Sequence, residues 1–154
     1  MADLTARVRA RSGALRAVVN NAGISVNAPV EALPLDEWRR LFEVNLFGHV
    51  AVTQALLPAL LRDHGRVVNI SSVGGRVAMA TFGPYGATKF ALEAVSDALR
   101  RELAPLGVRV VVVEPGGVRT EMGIGVSPSR AAWPRQCRSR TRSATGTWST
   151  QPSR

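Results

Sequence analysis

The chain has 154 residues, enough for one domain at most, and its 45% hydrophobic content fits a soluble globular protein. The formal net charge of +9 is uneven, because residues 1–124 hold fourteen basic and eleven acidic side chains while residues 125–154 hold six arginines and no acid. The single cysteine, Cys137, excludes an internal disulfide and offers no cysteine-based metal cluster.

The amino-terminal residues show no targeting signal. Residues 1–16 alternate arginine with small residues and lack an apolar core, so we expect a cytoplasmic protein. Residues 3–12 are predicted to form an amphipathic helix with Leu4 and Val8 on one side. The longest apolar region, residues 44–61, is interrupted by polar side chains, and we therefore expect a core helix that does not span a membrane.

A short buried strand is predicted over residues 15–20, and the sequence Asn-Asn-Ala-Gly forms the turn that ends it. Taken alone, this is an ordinary turn. A long helix is then predicted over residues 36–62, with acidic residues near its start, where they suit the helix dipole. Asn45 is unusual in this apolar helix, because a buried amide needs hydrogen-bond partners. These partners are either the backbone around a core amide or the groups of a functional site.

A second buried strand is predicted over residues 67–70, and two serines, Ser71 and Ser72, follow it directly. After a glycine-containing loop, a helix is predicted to begin at Pro84, since proline suits a first helical position. The apolar and small residues of this helix continue to about residue 106, which indicates burial on more than one side.

Tyr85 and Lys89 are four residues apart, so their side chains lie on one face of this predicted helix. A free tyrosine titrates at about pH 10, too high to exchange protons readily at neutral pH. A lysine cation fixed nearby favours the phenolate and makes the tyrosine a usable general acid/base. Ser72 follows a strand end, where open α/β sheets bind ligands, and its hydroxyl can hold a substrate oxygen. An isolated pair at this spacing is usually only a helix-start aromatic and a solvated charge.

Residues 108–114 form a third predicted strand, which Pro115 and Gly116 end, and Thr120 follows shortly after. Three strands that alternate with two long helices indicate an α/β fold with a parallel sheet.

Five motifs in this order and spacing resemble the short-chain dehydrogenases/reductases. They are Asn20-Asn21-Ala22-Gly23, Asn45 with Gly48, Ser71-Ser72, Tyr85-Gly-Ala-Thr-Lys89, and Pro115-Gly116 with Thr120. The resemblance covers about residues 4–124 and implies a partial Rossmann-type doubly wound sheet, of about three strands with flanking helices. We assign residues 1–124 to this catalytic domain.

The resemblance implies an oxidoreductase that uses NAD or NADP to transfer a hydride between nicotinamide and a small carbonyl or alcohol substrate. The implied catalytic residues are Asn45 for a water relay, Ser72 for the substrate oxygen, Tyr85 for the proton and Lys89 for the tyrosine and the nicotinamide ribose. The implied cofactor-binding residues are Asn20, Ala22, Gly23, Tyr85, Lys89, Pro115, Gly116 and Thr120. Ser72 is preferred to Ser71 on the family's spacing alone. The resemblance also implies a homo-oligomer formed through helices 36–62 and 84–106, and no metal.

The sequence departs from the family pattern before Asn20, where no G-x-x-x-G-x-G turn is present to hold a pyrophosphate. We therefore expect a truncated member of doubtful activity. The predicted strands are continuously apolar, which is typical of burial on both faces, yet successive right-handed crossovers would cover only one face. We expect the other face to be exposed and the chain to be poorly soluble or to associate. The alternative function is a non-catalytic remnant that retains only the subunit-pairing helices.

Residues 125–154 are rich in Arg, Ser and Thr without apolar periodicity, so we expect a disordered basic tail. Its arginines and tryptophans suit a nucleic acid in principle. We do not expect such a partner, because no folded platform presents these side chains. A shifted reading frame after about Gly125 is an alternative origin for this composition.

Overall fold

The computed structural model describes residues 2–11 and 13–118. Within them, three parallel strands form one sheet in the order β1 (Val18–Asn20), β2 (Arg66–Ile70) and β3 (Arg109–Val113). Val18, Val67 and Val110 lie side by side across the sheet. All three strands therefore end at the same edge, and the predicted α/β class with a parallel sheet is confirmed.

Helices precede or connect these strands. They are α1 (Ala2–Arg9), α2 (Leu35–Phe42), a π-helical segment (Glu43–Phe47), α3 (Gly48–Arg62) and α4 (Gly83–Leu103), with short 3₁₀ turns at Val73–Gly75 and Ala104–Leu106. The main core lies between the sheet and the helices, and consists of Val18, Leu56, Leu60, Val67, Leu103, Val108 and Val110. One face of the sheet is therefore covered by helices.

The opposite face of the sheet is open in the described part of the chain. Burial alternates along β3, where Val110 is buried while Val111 and Val113 are exposed, and Val19 of β1 is 59% exposed. Side chains of a strand point alternately to its two faces, so these valines mark a face without a helix against it. The predicted exposure of one face is confirmed, although the apolar runs alone indicated burial on both.

The predicted helix over residues 36–62 is continuous but not uniform. It begins as α2, widens to π-helical geometry over Glu43–Phe47, and continues as α3. Its 28 residues, Leu35–Arg62, are long and apolar enough to cross a membrane by length and composition, a test that core helices of soluble proteins also pass. In this fold Leu56 and Leu60 belong to the core beneath the sheet.

The end of α4 also differs from the prediction. The α-helix ends at Leu103 and a 3₁₀ turn completes the segment, because Pro105 lacks the N–H that a further α-helical turn requires. Gly107 follows with φ +77°, a left-handed conformation that glycine adopts without a steric cost, as predicted for a helix stop.

Candidate active site

The segments that follow β2 and β3 run together at the carboxyl edge of the sheet. The Ser71 amide donates to the Val113 carbonyl at 2.8 Å, and the Val73 amide donates to the Pro115 carbonyl at 3.0 Å. Ser72 and Pro115 are thereby brought to the same side of the sheet, at the edge where open α/β folds bind ligands.

Lys89 lies almost completely inside the protein, beneath the Tyr85 ring. Its side chain is buried, with 3% of the residue exposed, and its Nζ lies 5.8 Å from the centroid of that ring. The ammonium donates a hydrogen bond of 2.8 Å to the Ile70 carbonyl at the end of β2. Burial lowers the pKa of Lys89 to about 8, and the negative charge of Glu93 opposes this change. The lysine is therefore fixed between the strand end and the tyrosine.

Ser72 and Tyr85 flank the same glycine. Ser72 begins the 3₁₀ turn, where its Oγ accepts a hydrogen bond of 3.1 Å from the Gly74 amide. A methyl group on Gly74 would lie 3.5 Å from both Ser72 Oγ and Tyr85 Cε1. The neighbouring Ser71 instead faces Gly75, and its buried hydroxyl has no hydrogen-bond partner in the described residues. Of the two serines, Ser72 is the one beside the tyrosine ring.

Asn45 is fully buried in the π-helical segment and makes three hydrogen bonds within the protein. Its Oδ1 accepts from the Ile24 amide at 2.8 Å, while its Nδ2 donates to the Ile24 carbonyl and to Thr88 Oγ1 at 2.9 and 3.0 Å. Thr88 donates in turn to the Tyr85 carbonyl at 2.7 Å. The amide has the backbone partners of a core residue, and the water relay stays a prediction.

Asn20 and Ala22 contact α3 and β2. Asn20 Nδ2 donates to Thr53 at 3.0 Å and to Asn69 at 2.8 Å, which ties β1 to its neighbours. His49 donates from Nε2 to the Ala22 carbonyl at 2.7 Å, because a carbonyl can only accept. The pKa of His49 is lowered mainly by burial, partly offset by this bond, and the Lys89 charge lowers it further. A role for Asn20, Ala22 or Gly23 in cofactor binding stays a prediction.

The remaining predicted residues lie near or beyond the end of the described chain. Pro115 and Gly116 follow β3 at the carboxyl edge, and a methyl group on Gly116 would meet nothing within 4 Å. Thr120 and the predicted tail over residues 125–154 lie outside the described residues. Among residues 2–11 and 13–118, no group of three or more His, Cys, Asp or Glu side chains could hold a metal ion.

Sequence reasoning missed two charged residues behind this site, Glu93 and Arg76. Glu93 is buried and forms an ion pair of 3.1 Å with Arg76. Its spacing from Lys89 on the helix is a signal that could have indicated it. Nothing in the sequence indicated Arg76 as its partner, since seventeen residues separate the two.

The buried ammonium makes the stability of the fold depend on pH. The pKa of Lys89 is about 8 in the folded chain against 10.5 for a free lysine side chain, so between these values the unfolded chain holds a proton that the folded chain has lost. The free energy of unfolding should therefore rise as pH increases from about 8 to 10.5. Urea unfolding at several pH values in this range measures the free energy of unfolding. Lys89→Met, which has no ammonium to titrate, is the control. An equal rise in wild type and variant would contradict the assignment.

Comparison with known proteins shows the family of the chain. The family model described as short chain dehydrogenase matches residues 1–131. The chain belongs to the short-chain dehydrogenase family. The chain is 54% identical over 99 residues to mitochondrial D-beta-hydroxybutyrate dehydrogenase of Bos taurus, a match that covers 64% of this chain and 29% of the bovine protein.

Two solved structures resemble the fold. A short-chain dehydrogenase from Streptomyces avermitilis matches with a TM-score of 0.74 at 40% identity, over 92% of this chain and 53% of that one. A gluconate 5-dehydrogenase from Burkholderia cenocepacia J2315, in complex with NADP and tartrate, matches with a TM-score of 0.73 at 35% identity, over 77% of this chain and 47% of that one. The predicted family and Rossmann-type fold are confirmed, and the chain spans about half or less of the length of these relatives.

Proposed function

We propose that this chain carries the proton-transferring side of an NAD(P)-dependent oxidoreductase, acting between a nicotinamide and the carbonyl or alcohol carbon of a small molecule. The observation that carries this proposal is the position of Lys89. Its ammonium is buried 5.8 Å from the centre of the Tyr85 ring and anchored to the end of β2, immediately before the two serines. This position places a fixed cation next to the phenol that we assign as the general acid/base.

Each residue has a role that its position suits. In the reduction direction, Ser72 Oγ holds the substrate carbonyl oxygen, and Tyr85 Oη gives that oxygen its proton as the carbon gains a hydride. Lys89 stabilises the phenolate that remains. The oxidation direction reverses these steps, with the phenolate taking the alcohol proton. Asn45 keeps Tyr85 in place through Thr88, and its part in a water relay belongs to the same proposal.

The residues present fit the nicotinamide end of NAD or NADP. A lysine ammonium has three donors, and Lys89 gives one to Ile70, with no other hydrogen bond to the described residues. The remaining donors suit ribose hydroxyls, and Pro115, Gly116 and Thr120 would line the nicotinamide. When bound, the cofactor supplies or accepts the hydride. The Burkholderia relative was solved with NADP, which supports this class of cofactor.

One observation favours the alternative of a non-catalytic remnant. No G-x-x-x-G-x-G turn joins a strand to a helix in the described residues, and such a turn is what holds a pyrophosphate. The cofactor would then bind by its nicotinamide half alone, and weakly. In this alternative the helices keep only their pairing role.

Titration with NADH and NADPH separates the two functions. We expect the nucleotide fluorescence to change in a saturable way, by quenching or energy transfer, when the wild-type chain is added. Lys89→Met should bind the nucleotide at least tenfold more weakly, since a hydrogen bond from a charged group contributes about 1.5–3 kcal/mol. Arg101→Met, an exposed cation of the same helix, is the matched control. If the wild-type chain binds neither nucleotide, the proposed oxidoreductase function is wrong and the non-catalytic remnant is favoured.

The proposal extends to assembly and location. Leu35 and Phe47 are exposed beside an apolar groove on α2 and the π-helical segment, and Phe90 and Val95 are exposed on α4. These surfaces support a homo-oligomer formed through the 36–62 and 84–106 helices, which light scattering would detect as a mass above that of one chain.

The cytoplasmic location rests on the sequence alone, and fractionation of expressing cells tests it.

A further inference from the structure

A buried carboxylate lies one helical turn beyond Lys89 on α4. Glu93 is four residues from Lys89, as Lys89 is from Tyr85, and only 5% of it is exposed. Side chains four residues apart on a helix lie one above the other. Tyr85, Lys89 and Glu93 therefore project from one row along α4, with Lys89 the middle residue of the three.

The loop after β2 holds this acid in place from the other side. Arg76 Nη2 lies 3.1 Å from Glu93 Oε2 and 2.9 Å from Glu114 Oε1, so one guanidinium joins α4 to the end of β3. Gly75 packs so closely on α4 that a Cβ there would lie 3.2 Å from both Glu93 Cγ and the Lys89 carbonyl oxygen. The carboxylate is thus fixed against the same loop that carries Ser72.

The charges in this cluster do not balance. Two carboxylates, Glu93 and Glu114, share Arg76, and neither oxygen of Glu93 has a hydrogen-bond partner among the described residues. A buried carboxylate without full compensation is costly, and a nearby cation reduces that cost. Lys89 is the buried cation on the same helix face.

The other titratable groups around Lys89 do not supply this negative charge. Tyr85 lies on its far side along α4. His49, from α3, has its pKa lowered by burial and by the Lys89 charge, and an imidazole supplies no negative charge in either of its protonation states. Arg76 is positive, and Glu114 is directly bonded to it. Asp97, one turn further on, pairs with Arg100.

We propose that Glu93 is a positioning residue that keeps Lys89 protonated beneath Tyr85, while Arg76 shares the Glu93 carboxylate and so limits its effect on Lys89. Its importance for the reaction rests on the proposed function. Its effect on the charge of Lys89 does not, and can be measured in the chain without cofactor.

Lys89 is the only lysine in the chain, so lysine-specific ¹³C labelling gives the NMR signals of one side chain. We expect Glu93→Gln to lower the Lys89 pKa by about 1 unit, the lower end of the effect of a neighbouring opposite charge. Glu102→Gln, an exposed acid on the same helix, should leave it unchanged. An unchanged value in Glu93→Gln, or equal shifts in both variants, would overturn the proposal.

Arg76→Gln is a second test that does not disturb a buried side chain, since this arginine is exposed. It removes a positive charge and leaves Glu93 unshared, so the Lys89 pKa should rise. A fall or no change in the Lys89 pKa would count against the proposal, and this test remains available if Glu93→Gln fails to fold.

In an active chain, the alkaline limb of the pH–rate profile should move with the Lys89 pKa. A reductase that does not need Tyr85 would remove the proposed function but leave these titrations intact.

Discussion

Replacing Tyr85 by phenylalanine should lower kcat for carbonyl reduction by about 10²- to 10⁴-fold, the usual contribution of a positioned general acid. The variant loses one oxygen atom and keeps the ring over Lys89, which is 5.8 Å from its centroid. Steady-state rates with NADH or NADPH and a panel of small ketones measure the effect.

The controls separate a lost proton donor from a damaged fold. The urea midpoint of Tyr85→Phe should match that of wild type, because the ring that lies over Lys89 is retained. Phe90→Leu, which changes an exposed aromatic on the same helix, should retain the wild-type rate. A fully active Tyr85→Phe chain would remove the proposed mechanism.

Replacing Asn45 by alanine should reduce the free energy of unfolding by about 2–5 kcal/mol, because it leaves the Ile24 amide and carbonyl without their partner and each such buried group costs about 1–3 kcal/mol. Thr88 loses a partner as well, and it connects to the Tyr85 carbonyl. Chemical denaturation measures this loss of free energy of unfolding, and the m-value of the variant should equal that of wild type.

Asn21→Ala is the matched control for this substitution, since Asn21 is an exposed amide in the turn after β1. It should change stability by less than about 0.5 kcal/mol, as surface substitutions usually do. If Asn45→Ala were as stable as this control, the bonds between Asn45, Ile24 and Thr88 would not hold the helix. A large loss of activity without a loss of stability would favour the water relay instead.

The sequence by itself determined the elements and the spacing of the central pair. Apolar runs located all three strands, with ends within three residues of those observed, and Pro84 and Gly107 marked the limits of the second long helix segment. The four-residue separation of Tyr85 and Lys89 placed both on one helix face. These are local properties, because helix periodicity and turn geometry depend on neighbours in the chain.

Tertiary structure alone decided which distant groups meet. Asn45 bonds to Ile24 and Thr88, which lie 21 and 43 residues away, and no spacing in the sequence predicts those partners or the π-helical segment that contains it. Arg76 reaches Glu93 only because the loop after β2 folds back on α4 at Gly75. The open face of the sheet likewise follows from where the helices pack. Side chains far apart in sequence acquire partners only when packing fixes their elements, since hydrogen bonds and ion pairs require contact within a few ångströms.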